Sequence, residues 1–87
     1  MKTTILIDAK AEALFVSDLQ PSQQPSTAAV ESAISRSIRT FGSRGCAARV
    51  AQEYGEHPEI AVARMRWART CVACTASPAA QHLPTAA

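Results

Sequence analysis

Two breaks govern what this chain can fold into. Gly42 and the run Gly55-Glu56-His57-Pro58 divide residues 26–74 into three stretches, and in each the apolar residues recur at helical spacing. In the first stretch Val30, Ile34, Ser37, Ile38 and Phe41 share a face. Ser26 can cap that helix, because its hydroxyl accepts an orphan N–H of the first turn. Gly42 can close it in the left-handed conformation that a Cβ would oppose. A helix over 27–41 follows, with Arg36 and Arg39 outward. In the second stretch Cys46, Ala47, Val50, Ala51 and Tyr54 share a face, which predicts a helix over 44–54 that starts after Ser43 and ends at Gly55. Gly45 weakens its first turn. In the third, Pro58 sits where a first helical turn accepts proline. Ala61, Met65, Ala68 and Val72 then form the inner stripe of a helix over 58–73. Ile60, Trp67 and Cys71 widen that stripe on one flank, and Val62, Arg66 and Arg69 lie on the other. The expected class is all-α: a three-helix unit over 26–74.

The flanks read differently. Residues 1–25 are expected to be an N-terminal arm and linker. Thr3 to Ile7 have the composition of a short strand, and 9–17 that of a short helix. Pro21 and Pro25 bracket Ser-Gln-Gln, a linker in which proline discourages helix at the residue before it. Leu14, Phe15, Val16 and Leu19 form an apolar stripe that either covers the chain's own core or docks on a partner. Residues 75–87 are Ala, Pro, Ser and Thr with little to bury, and read as a flexible tail. A packed unit of about 50 residues is marginal for one core, so a homodimer or a complex is expected.

Charge is informative in its distribution. The net charge is only +2, but all seven arginines lie between Arg36 and Arg69, and no acid follows Glu59. The basic end of the last helix is a patch for phosphate or an acidic partner, or else a solvated face. No segment approaches the roughly 18 apolar residues of a membrane span. The N-terminus turns acidic at Asp8 before a signal-peptide stretch develops, so a cytoplasmic protein is expected. Three cysteines, an odd count, fit a reducing compartment.

The stretch Val50 to Arg69 carries the strongest functional signal. Ala51 suits a close approach of two crossing helices, and Gly55 suits a tight turn at positive φ. These residues resemble the helix-turn-helix of sigma-factor region 4, the domain that reads the −35 promoter element. Val50-Ala51 take the place of that family's Ile-Ala, and Gly55 that of its glycine. Arg64-Met65 take the place of its Arg-Leu, and Ala68-Arg69 that of its Ala-Arg. LuxR-type regulators share part of the pattern. Two departures stand out: Glu56 replaces the apolar residue that follows the glycine, and Ile60-Ala61 replace Thr-Val. From Leu14 to Val72 the chain also looks like small proteins of high-GC actinobacteria, a likeness that brings no activity with it.

The resemblance implies a small transcriptional regulator that binds double-stranded DNA, with helix 58–73 as recognition helix. Arg66 and His57 would make base or groove contacts, and Val62 and Ala63 would meet thymine methyls. Arg64, Arg69, Arg44 and Arg49 would contact phosphate, which positions without specifying. The alternative is an adaptor that uses the same helices to bind RNA polymerase, a sigma or anti-sigma factor, or another regulator. Glu56 and Glu59 sit at the end that would face DNA and oppose phosphate.

Other chemistry is weakly signalled. Cys71-Val72-Ala73-Cys74 is a C-x-x-C that Cys46, His57 and His82 could complete towards a four-ligand zinc site, but a structural site shows two paired clusters. The plainer reading is buried Cys46 and Cys71 with a thiol at Cys74 near the helix end. No cofactor is expected. His57 has only Glu56 and Glu59 near it, and no nucleophile motif or glycine-rich phosphate loop occurs, so an enzyme is not expected.

Overall fold

The computed structural model describes the backbone of residues 2–76 and the side chains of residues 8–75. Within that range every regular element is helical: α1 (Lys2–Phe15), a 3₁₀ turn (Pro21–Gln23), α2 (Thr27–Glu56) and α3 (Pro58–Ala76). The protein is all-α, as its periodicity predicts. No helix among the described residues is long and apolar enough to cross a membrane. Residues 77–87 of the predicted tail, with His82, lie outside the described residues.

Ser26 does what its side chain suits it for. It sits in extended conformation and its Oγ accepts from the Ala29 N–H at 3.1 Å, which starts α2. The two helices expected over 27–41 and 44–54 are the two halves of α2, divided at Gly42. Gly42 has φ 73° and ψ 166°, a region that L side chains avoid. Across the kink Cys46 donates its thiol to the Ser37 carbonyl at 3.8 Å, and both residues are buried. The kink therefore lets both halves face one core.

The second turn differs from its prediction. Gly55 stays helical, and α2 runs on to Glu56. The break falls at His57, with φ −140° and ψ 68°, followed at once by Pro58 as the first residue of α3. Proline causes it: its ring excludes the preceding residue from helical conformation, and its missing N–H costs nothing at a helix start. Ala51 also departs from its expected role. It is exposed, and the buried residues of this half of α2 are Cys46 and Val50.

The N-terminal helix is longer than 9–17 and ends earlier, at Phe15; Thr3 to Ile7 continue it and form no strand. A lone strand has no partner for its backbone groups, whereas extending an existing helix satisfies one bond per residue. Ala11, Ala13, Leu14 and Phe15 are buried with Val30, Ala33, Ile34, Cys46 and Val50 of α2 and Ala61, Ala68 and Val72 of α3. Of the two roles open to the stripe around Leu14, covering its own core is the one observed. The inner stripe of α3 is as predicted, with Met65 half-buried.

Gly42 and Gly55 give opposite expectations. Gly42→Ala forces a Cβ into a glycine region of φ/ψ and should destabilise by about 1–3 kcal/mol. Gly55→Ala adds a methyl that meets nothing within 4 Å. It should stabilise by up to about 1 kcal/mol, because the position is helical. Urea unfolding followed by circular dichroism reads both.

Candidate functional site

Helix α3 carries most of the residues expected to bind, and its geometry sorts them. Arg64 turns inward. Its Nε donates to the Phe15 carbonyl at 2.7 Å, and its Nη2 donates to the carbonyls of Ser17 and Leu19, each at 2.9 Å. The guanidinium lies 5.1 Å from the Trp67 ring centre and 5.8 Å from that of Phe15. Burial pulls its pKa down, yet an arginine stays charged at neutral pH. Arg64 is thus a cap on the C-terminal end of α1, where the carbonyls left over by the helix favour a cation. Three of its five N–H donors are thus held by backbone carbonyls, in place of the solvent-facing position a phosphate contact expects.

The other arginines divide further. Arg69 is paired with Asp8 of α1, and both side chains are about half exposed. Exposed pairs of this kind contribute at most about 1 kcal/mol, so Arg69 remains partly available. Arg49 stacks over Phe41, 4.0 Å from the ring centre. Arg36 reaches Asp18 at 3.7 Å. Arg44, Arg39 and Arg66 are exposed, and their guanidinium groups make no hydrogen bond or ion pair among the described residues. On α3, Val62, Arg66 and Arg69 follow one another at spacings of 4 and 3 on one exposed side, with Ala63 exposed beside Val62.

The junction of α2 and α3 has a different character. Ile60 is 65% exposed and Val62 44%. Gln20, Pro21, Ile60, Ala63, Glu59 and Arg64 line a shallow, mainly apolar depression, which continues over His57 and Pro58. Carboxylates gather beside it, Glu59 in its lining and Glu53 and Glu56 near His57. Glu53 pairs with His57 at 3.4 Å, Glu56 accepts from Gln52 Nε2 at 3.1 Å, and Glu59 has no partner among the described residues. His57 is therefore held by an acid at the very end that was expected to face bases. Sequence reading placed Ile60 on the widened inner stripe and so missed this patch. Position 60 lies about 100° round the helix from Ala61, which was the available signal.

Among the described residues the cysteines do not converge with a third ligand. Cys46 is buried in the core, and burial, with the Glu12 carboxylate adding to it, pushes its thiol up. Cys71 is half-buried and Cys74 exposed in the last turns of α3. The one group of three metal-ligating side chains among the described residues is Glu53, Glu56 and His57, without a cysteine.

No protein-family model, no curated protein and no solved structure matches this chain.

Proposed function

We propose that this protein is a non-enzymatic interaction module that docks through the α2–α3 junction onto another protein. The observation that carries this reading is the exposed Ile60, set in an apolar depression that Glu59 also lines, with Glu53 and Glu56 gathered at the adjoining His57. Such a tip is complementary to an apolar cleft flanked by lysine or arginine, with the apolar anchor giving affinity and the carboxylates orientation. It is ill suited to a phosphate backbone, which three carboxylates repel. The sequence resemblance directs the search for the partner to the transcription apparatus: RNA polymerase, a sigma factor or an anti-sigma factor. Ile60→Asp should weaken capture of such a partner at least tenfold, the equivalent of about 1.4 kcal/mol, while leaving the helical signal and the melting temperature unchanged. Undiminished capture by that variant would remove the tip from the interface.

A second reading is favoured by one observation of its own. Arg66 is exposed and unpaired beside Val62, Ala63 and Arg69, a set that suits a DNA groove. On that reading the side of α3, with Arg44 as a further cation, binds double-stranded DNA, and the chain is the small helix-turn-helix regulator that its resemblance implies. Arg66→Ala would then weaken duplex binding and, if the arginine meets phosphate, reduce the salt slope by about one. Salt-insensitive or undetectable duplex binding by the unaltered protein excludes it.

A further inference from the structure

We propose that Cys71 and Cys74 form a dithiol pair that closes to an intrahelical disulfide when the protein meets a small disulfide such as oxidised glutathione. This inference is independent of the docking surface, which lies at the other end of α3. Helical rise and turn place the Cα atoms of residues i and i+3 about 5 Å apart, inside the roughly 4.4–6.8 Å range that disulfides span. In a regular α-turn the two Cβ atoms still diverge. A 3₁₀ turn eclipses them, and helix C-termini adopt that turn readily. The pair sits in the last six residues of α3, which ends at Ala76. A 3₁₀ turn there moves each N–H from the i−4 to the i−3 carbonyl, so no donor is left without an acceptor. Thr75 Oγ1 already donates to the Val72 carbonyl at 2.9 Å, a contact of the same i,i+3 span.

Exposure assigns the order of events. Cys74 is exposed, Cys71 is half-buried, and Cys46 is buried in the core with its thiol on the Ser37 carbonyl. The Cys74 thiolate attacks one sulfur of the small disulfide. That S–S bond breaks, and one small thiol leaves with a proton from solvent. Cys71 then loses its proton to solvent and attacks the Cys74 sulfur, and the second small thiol leaves. Two protein thiols are oxidised by two electrons, and one small disulfide is reduced to two thiols. Burial pushes the Cys71 thiol up, and Cys74 adds to that rise. A raised pKa makes Cys71 a poor first nucleophile and suits it to the second step, which is intramolecular.

The test is whole-chain mass spectrometry after exposure to oxidised glutathione, unfolding and alkylation. The unaltered protein should carry one alkylated cysteine, Cys46, and no glutathionyl group. Cys71→Ser should instead accumulate a glutathionyl adduct on Cys74, and Cys74→Ser should stay largely unmodified. Three alkylated cysteines in the unaltered protein, a lasting adduct on Cys74 beside a free Cys71, or a bond from Cys46 or a second chain would each overturn the proposal.

Discussion

Arg64→Ala is expected to destabilise the fold by about 2–4 kcal/mol. The substitution removes a half-buried guanidinium that donates to the carbonyls of Phe15, Ser17 and Leu19. Those carbonyls close α1 at Phe15 and continue into the segment after it, under the side chain, so water replaces the lost donors poorly. A domain of this size holds only about 4–10 kcal/mol in total, so the loss should be plain in urea unfolding. Arg64→Lys should recover less than half of it, because a point charge cannot reach three carbonyls as a planar fork does. If Arg64 were instead a free phosphate ligand, both variants would unfold like the unaltered protein.

Leu14→Ala should cost about 3 kcal/mol, within the usual 2–5 kcal/mol for a buried leucine. Leu14 is fully buried among α1, α2 and α3, and a small core has little freedom to collapse around the gap. The measurement again is equilibrium unfolding. It separates a core helix from an arm: loss of a side chain from an undocked arm would leave the midpoint where it was. Ser26, by comparison, caps α2 from an exposed position, and caps of this kind are worth about 1 kcal/mol.

Much of the fold is legible in the residues because its signals are local. The Ser26 cap, the break at Gly42 and the inner stripe of α3 each follow from neighbours in sequence. The turn at His57 was legible as well, but in the proline and not in the glycine. Residues 55–58 contain two helix breakers, and the one that acts is the one whose ring forbids helix at the residue before it. Gly55 merely tolerates a turn; it does not impose one. Helix α1 was harder, because Thr3 to Ile7 favour strand by composition and become helical only as a continuation of a docked segment.

The site was less legible. Arg64 stands three residues after Ala61 and four before Ala68, both in the inner stripe, so its position already belonged to the edge of the core. Its residue type concealed that, since arginine on a helix is ordinarily read as solvated. The partner of Arg69, Asp8, is 61 residues away, and no spacing rule links them. The acidic tip was visible in Glu56 and Glu59. Its apolar centre at Ile60 is completed by Gln20 and Pro21, which only the fold brings beside it.

On the proposed docking function the α2–α3 tip meets a protein and not DNA. A photo-reactive amino acid at position 60 tests it most directly, by irradiation in lysate with and without nuclease. One discrete protein adduct is expected, unchanged by nuclease and suppressed by Glu59→Lys. Crosslinks to nucleic acid, or adducts that vanish when nuclease is added, would contradict it and leave DNA binding by α3 as the better reading.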